Sequence, residues 1–192
     1  MSIMNGNGFG QNNGGESKKK ANFSIGNLRS EDGFMSVGIW NSDKGSTFVT
    51  VNIKAAIGKD PSTGSVAYEQ KMSGELPSAV INKECLCGLI TALKATKPEE
   101  ANLKINFGKS SMTFVGSANG VKVTIESAKG TRSMTFATMP VGSMNVHPSY
   151  DLFVEYLEIG MKKIKYQKLD ENEFKNVLTT SGENDPDSPF SM

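Results

Sequence analysis

Three aromatic residues, Trp40, Phe48 and Tyr68, stand among lysines where apolar and polar residues alternate. In "FMSVGIW", Val37 and Ile39 share one strand face and leave Ser36, Gly38 and Trp40 on the other. In "STFVTVNIKAA", Val49, Val51, Ile53 and Ala55 point one way, while Phe48, Thr50, Asn52 and Lys54 point the other. "VAYEQKMSGEL" reads as a further strand with Tyr68, Gln70 and Met72 on one face. Lys44, Lys54 and Lys71 are interleaved with these rings, and Lys104, Lys109, Lys122, Lys129 and Arg132 follow later in the chain. Rings on a strand face can stack unpaired bases at about 1–3 kcal/mol each, while cations meet the phosphates. Such binding needs no reader of base edges and is therefore sequence-tolerant. Taken singly, each residue has a plainer use: an outward Phe packs under a second layer, and a strand lysine keeps an edge soluble.

Other chemistry finds few residues to work with. There is no phosphate-binding "GxxxxGK[ST]", no nucleophile elbow and no pair of histidines. "GFGQNNGG" is glycine-rich but precedes no helix pattern. Cys85 and Cys87 are the only cysteines and stand one residue apart, a poor spacing for a disulfide and too few ligands for structural zinc. They read as small buried residues in a reducing compartment, hence an intracellular protein. His147, the single histidine, stands just before a helix pattern and reads as a loop or capping residue. The expectation is a non-enzymatic protein without a cofactor or metal.

The chain has 192 residues, 37% hydrophobic and 21% charged, with a formal net charge of +1. That length suits one domain or two small units sharing a core. No apolar run approaches the roughly 20 residues that span a bilayer, so no membrane association is expected. Residues 1–22 form a Gly/Asn-rich arm, closed by Lys18, Lys19 and Lys20, that is too polar to fold and lacks the apolar core of a secretory signal. Residues 170–192 carry six acids and one base, a net of −5, which leaves +6 on residues 1–169. A basic body with an acidic tail suggests a polyanionic partner for the body. The tail ends "SGENDPDSPFSM", in which Phe190 is an apolar anchor among acids and prolines. It reads either as a frayed end or as bait for a partner protein.

The elements repeat in order. Residues 23–169 form the body. Its first unit, about 23–97, runs strands then helix: Asn82 is a candidate N-cap, and Cys85, Leu86, Leu89, Ile90 and Leu93 follow helical spacing until Pro98. The second unit, about 101–166, starts the pattern again. Leu103, Ile105 and Phe107 share a face, Asn119 and Gly120 signal a hairpin, and Val121, Val123 and Ile125 oppose Lys122, Thr124 and Glu126. After "SMTFATM", Pro148 and Ser149 introduce a helix carrying Leu152, Phe153, Tyr156, Leu157, Met161 and Ile164. The expected class is α+β, two strands-then-helix repeats whose antiparallel sheets carry helices on one face. The alternative is a five-stranded OB-like β-barrel.

A basic body followed by an acidic tail with Asp185, Asp187, Pro189 and Phe190 resembles the plan of bacterial and phage single-stranded DNA-binding proteins, whose tails end in acids followed by Pro-Phe or Phe. Here Ser191 and Met192 follow the aromatic residue. The strands-then-helix order is similar to the Whirly/Pur-alpha-like superfamily, in which such units pair into a curved binding sheet. The resemblance implies a homo-oligomer that coats single-stranded DNA, or RNA, in a phage replication or recombination system. It further implies that the tail residues recruit replication or recombination proteins. A competing reading is a virion or scaffold subunit whose β faces self-associate.

Overall fold

The structure, a computed structural model, describes residues 22–166. Most of the arm, and all of the tail from Asp170 with Asp185, Asp187, Pro189 and Phe190, lie outside the described residues. The architecture is mostly antiparallel sheet with two helices, an α+β arrangement.

The first sheet begins with three antiparallel strands, β1 (Phe23–Arg29), β2 (Gly33–Asn41) and β3 (Thr47–Lys59). Their alternation sets the layers: Met35, Val37, Ile39, Val49, Val51 and Ile53 are buried, while the intervening residues face outward. β4 (Val66–Tyr68) pairs with the far end of β3, and β5 (Ser78–Ile81) pairs with its first half, Val49 to Asn52. Helix α1 (Lys83–Ala95) follows, with the Asn82 side chain accepting from the Cys85 N–H at 2.8 Å as an N-cap. The second sheet is a meander of β6 (Asn102–Phe107), β7 (Ser110–Ser117), β8 (Gly120–Ser127) and β9 (Gly130–Ala137). A hairpin of β10 (Met139–Val141) and β11 (Met144–Val146) leads into α2 (Pro148–Lys165).

Both sheets and both helices share one core. Phe153 of α2 meets Phe114 and Phe136 of the second sheet at ring distances of 6.1 and 5.5 Å. On its first-sheet side α2 packs so closely that a Cβ at Gly160 would lie 2.5 Å from Val49 Cγ2. Polar clasps join the units as well. The Asp32 carboxylate, between β1 and β2, accepts from Thr135 N at 3.0 Å and Thr135 Oγ1 at 2.6 Å.

Two expectations are corrected. The strand foreseen across 66–76 stops at Tyr68, because the Glu69 carboxylate takes the Ala55 N–H at 3.0 Å, a position that a continuing strand would fill with a carbonyl. Tyr68, Gln70 and Met72 therefore share no face, and Met72 is 76% exposed beside a 3-10 turn at Ser73–Glu75. Cys85 is half-buried against the core and Cys87 is exposed, so the reading of both as buried holds only in part for Cys85 and fails for Cys87, which the helix turns to the outside. His147 stands, as expected, in the loop just before α2 at the N-cap position, and its side chain makes no cap hydrogen bond. It is buried with Nε2 3.4 Å from Glu99 and Nδ1 3.4 Å from Thr138 Oγ1.

Candidate nucleic-acid interface

The outward side of the first sheet is ordered in rows by its register. At one end Trp40 and Phe48 are direct cross-strand partners, their rings 5.4 Å apart. Trp40 is 41% exposed, an unusual position for a ring that could have been buried. At the other end the row is Arg29, Phe34 and Lys54. The Arg29 guanidinium carbon stands 5.8 Å from the Phe34 ring centre, and Tyr68 adds a second ring 5.6 Å from Phe34. Tyr68 is fixed there by its hydroxyl, which donates to Ser30 O at 2.8 Å. Trp40 and Phe34 are six residue steps apart along β2, about 20 Å at 3.3 Å per step.

Between the aromatic ends the surface is small and polar. One row is Asn27, Ser36, Asn52 and Ser78, in which the Ser78 hydroxyl donates to Asn52 Oδ1. The next is Ser24, Gly38, Thr50 and Val80. Gly38 leaves a notch in the floor of a groove of about 570 Å³. Its far rim is Ser73, Gly74 and Lys129, whose ammonium donates to Gly74 O. Beyond Val80 the groove runs on to Lys109 of the β6–β7 turn and Ser110 at the start of β7.

Ion pairing separates the expected cations into two groups. Lys44, Lys54, Lys109 and Lys122 have no carboxylate partner among the described residues, and neither does Arg29. Lys104 instead pairs with Glu126 at 3.2 Å, and Lys71 lies 3.8 Å from Glu69. Arg132 departs furthest from its expected place. It stands opposite Ile125 on the inward side of β9 and grips Glu69 with two hydrogen bonds of 2.7 and 3.0 Å. That grip, with the Ala55 N–H and Lys71, holds the Glu69 carboxyl down at about 2. Arg132 is a tie between the two sheets, with little left to offer a phosphate.

Of the expected residues, then, Trp40, Phe48, Lys54 and Tyr68 share the outer face of the first sheet, with Lys44 in the β2–β3 turn at its Trp40 end. Lys104 and Lys122 lie on the outer face of the second sheet, among Ser111, Thr113, Thr124 and Ser133, where no aromatic side chain projects. The two units are unlike in this respect: only the first carries rings outward. Arg29 and Phe34 were missed. Phe34 follows the alternation of Ser36 and Trp40 and was legible; Arg29 was not, because a bulge between Ser24 and Gly26 resets the register of β1.

Among the described residues no group of three His, Cys, Asp or Glu side chains could hold a metal ion, and no helix is long and apolar enough to cross a membrane. The chain matches no protein-family model, and neither a characterised protein nor a solved structure gives a significant match.

Proposed function

We propose that this protein binds single-stranded DNA, with little regard to sequence, along the outer face of the first sheet. The observation that carries this reading is the conjunction on one face of two aromatic pairs, exposed Trp40 with half-buried Phe48 and half-buried Phe34 with Tyr68, with the unpaired cations Arg29 and Lys54. Elsewhere on the surface some cations are paired with acids, as Lys59, Lys94 and Lys97 are, and others such as Lys109 and Lys122 are not, so the distinguishing feature of this face is the placing of unpaired cations beside the ring pairs. A cation left without an acid, beside a ring left without a cover, suits a ligand that brings both phosphate and base. The role is binding without catalysis. The order of strands, helix, strands, helix supports reading the body as two repeats of the Whirly/Pur-alpha-like plan. In a phage replication or recombination system inside a cell, the tail residues Asp185, Asp187, Pro189 and Phe190 would recruit partner proteins while the body coats the strand.

The second reading, a virion or scaffold subunit, has one observation in its favour. The β10–β11 hairpin exposes Met139, Val141 and Met144 and contains no charged residue. Chromatography on single-stranded DNA resin separates the two. Phosphate neutralisation makes retention fall steeply with salt, so the protein is expected to bind at low salt and elute as salt rises. A scaffold subunit passes through unretained.

A further inference from the structure

Helices α1 and α2 lie side by side, with the Tyr150 hydroxyl donating to Leu93 O at 3.0 Å. Their outer sides form a groove of about 760 Å³ lined by Cys87, Ile90, Thr91, Glu155, Ile159 and Met161. Lys94 and Glu158 pair across the helices at 2.9 Å.

Charges along the exposed side of α2 are ordered. Asp151, Glu155 and Glu158 come first, and Lys162 and Lys165 follow. At about 3.6 residues per turn these five fall in one stripe. Their positions are also reciprocal: the midpoint between Glu155 and Lys162, and that between Asp151 and Lys165, both fall at positions 158–159. Two such helices laid antiparallel, with Ile159 near the axis, would set Glu155 of each copy against Lys162 of the other and Asp151 against Lys165. Glu155 and Lys162 have no ion-pair partner within the described residues. Glu158, which falls at the midpoint of the stripe, is already met by Lys94 of its own chain, so what is left to match across a twofold axis is the self-complementary charge on either side of it, beside the apolar groove.

We propose that the α1–α2 face is a twofold interface with a second copy of this chain. The acid-first, base-last order also complements the helix's own dipole, but that needs neither an apolar groove nor the common midpoint. The proposal does not rest on nucleic-acid binding. Because α2 covers the inward side of the first sheet, a dimer formed through the helices leaves the outward side uncovered.

Sedimentation of the full chain at micromolar concentration tests it. A species of twice the 20.6 kDa chain mass is expected. Glu155→Lys places like charges across the axis in both halves and is expected to give the monomer mass, as is Lys162→Glu. The double variant, Glu155→Lys with Lys162→Glu, is expected to recover the dimer. Both side chains are exposed, so circular dichroism should be unchanged throughout. A wild-type chain of monomer mass overturns the proposal. So does a dimer indifferent to both single reversals, or a double variant that stays monomeric. Oligo-dT quenching of Trp40 in the same samples reports on the other face, so failure there leaves this result standing.

Discussion

Arg29 and Lys54 flank Phe34 without an acid of their own, whereas Arg132 spends both arms of its guanidinium on Glu69. The distinction is testable by the dependence of DNA affinity on salt. Arg29→Ala or Lys54→Ala should each flatten the logarithmic salt slope by about 0.7, the single-strand value per phosphate. Lys104→Ala should leave it unaltered, since Glu126 already neutralises that cation. Glu69 makes a different prediction. The Arg132 guanidinium holds the Glu69 carboxyl down at about 2 in the folded protein, against the ordinary 4.5 of a free glutamate. Between those values the unfolded chain takes up a proton that the folded chain refuses, so acid favours unfolding. The stabilisation is complete above about 4.5 and is lost as pH falls towards 2. The Glu69 side chain is 12% exposed and that of Arg132 26%, which places the pair between a surface bridge and a buried one. Glu69→Gln should therefore cost about 1–3 kcal/mol at neutral pH. Urea unfolding at a series of pH values should show the gap between wild type and variant closing in acid.

The elements place these residues, and the close seat of α2 is what keeps the first sheet in position. Gly160→Ala sets two effects against each other. Alanine gains about 1 kcal/mol of helix propensity over glycine, but its Cβ would lie 2.5 Å from Val49 Cγ2, on a side chain with no exposed surface. Overpacking costs about 1–3 kcal/mol, so the clash wins and the urea midpoint should fall. Much of this layer was legible in the sequence. The stripes Val37–Ile39, Val49–Val51–Ile53 and Val121–Val123–Ile125 all face the core, and Asn82 caps α1. Short elements were not legible: β5 has four residues and shows only Ala79 and Ile81 inward, and β10 and β11 have three each. The site divides in the same way. Trp40, Phe48 and Lys54 follow from alternation within one strand pair. The fates of Lys104 and Arg132 depended on acids 22 and 63 residues away, which only the tertiary register brings near.

Over the whole molecule, on the proposed reading, the net charge of −5 on residues 170–192 competes with DNA for the cations of the +6 body. Removing residues 179–192 deletes Glu183, Asp185 and Asp187, and should raise affinity for single-stranded DNA, most clearly at low salt where screening is weak. Phe190→Ala should leave that affinity alone while abolishing capture of a partner protein. The outer faces are unlike, aromatic on the first sheet and Ser/Thr-rich on the second, so on the proposed reading each chain offers one stacking surface. Trp40 is the only tryptophan, so its fluorescence reports from that surface alone. Titration of the full chain with oligo-dT at low salt should quench it saturably, with the quench reversed by added salt. Fluorescence that stays constant while a labelled oligo-dT is shown to bind would place the strand elsewhere on the molecule and contradict the account.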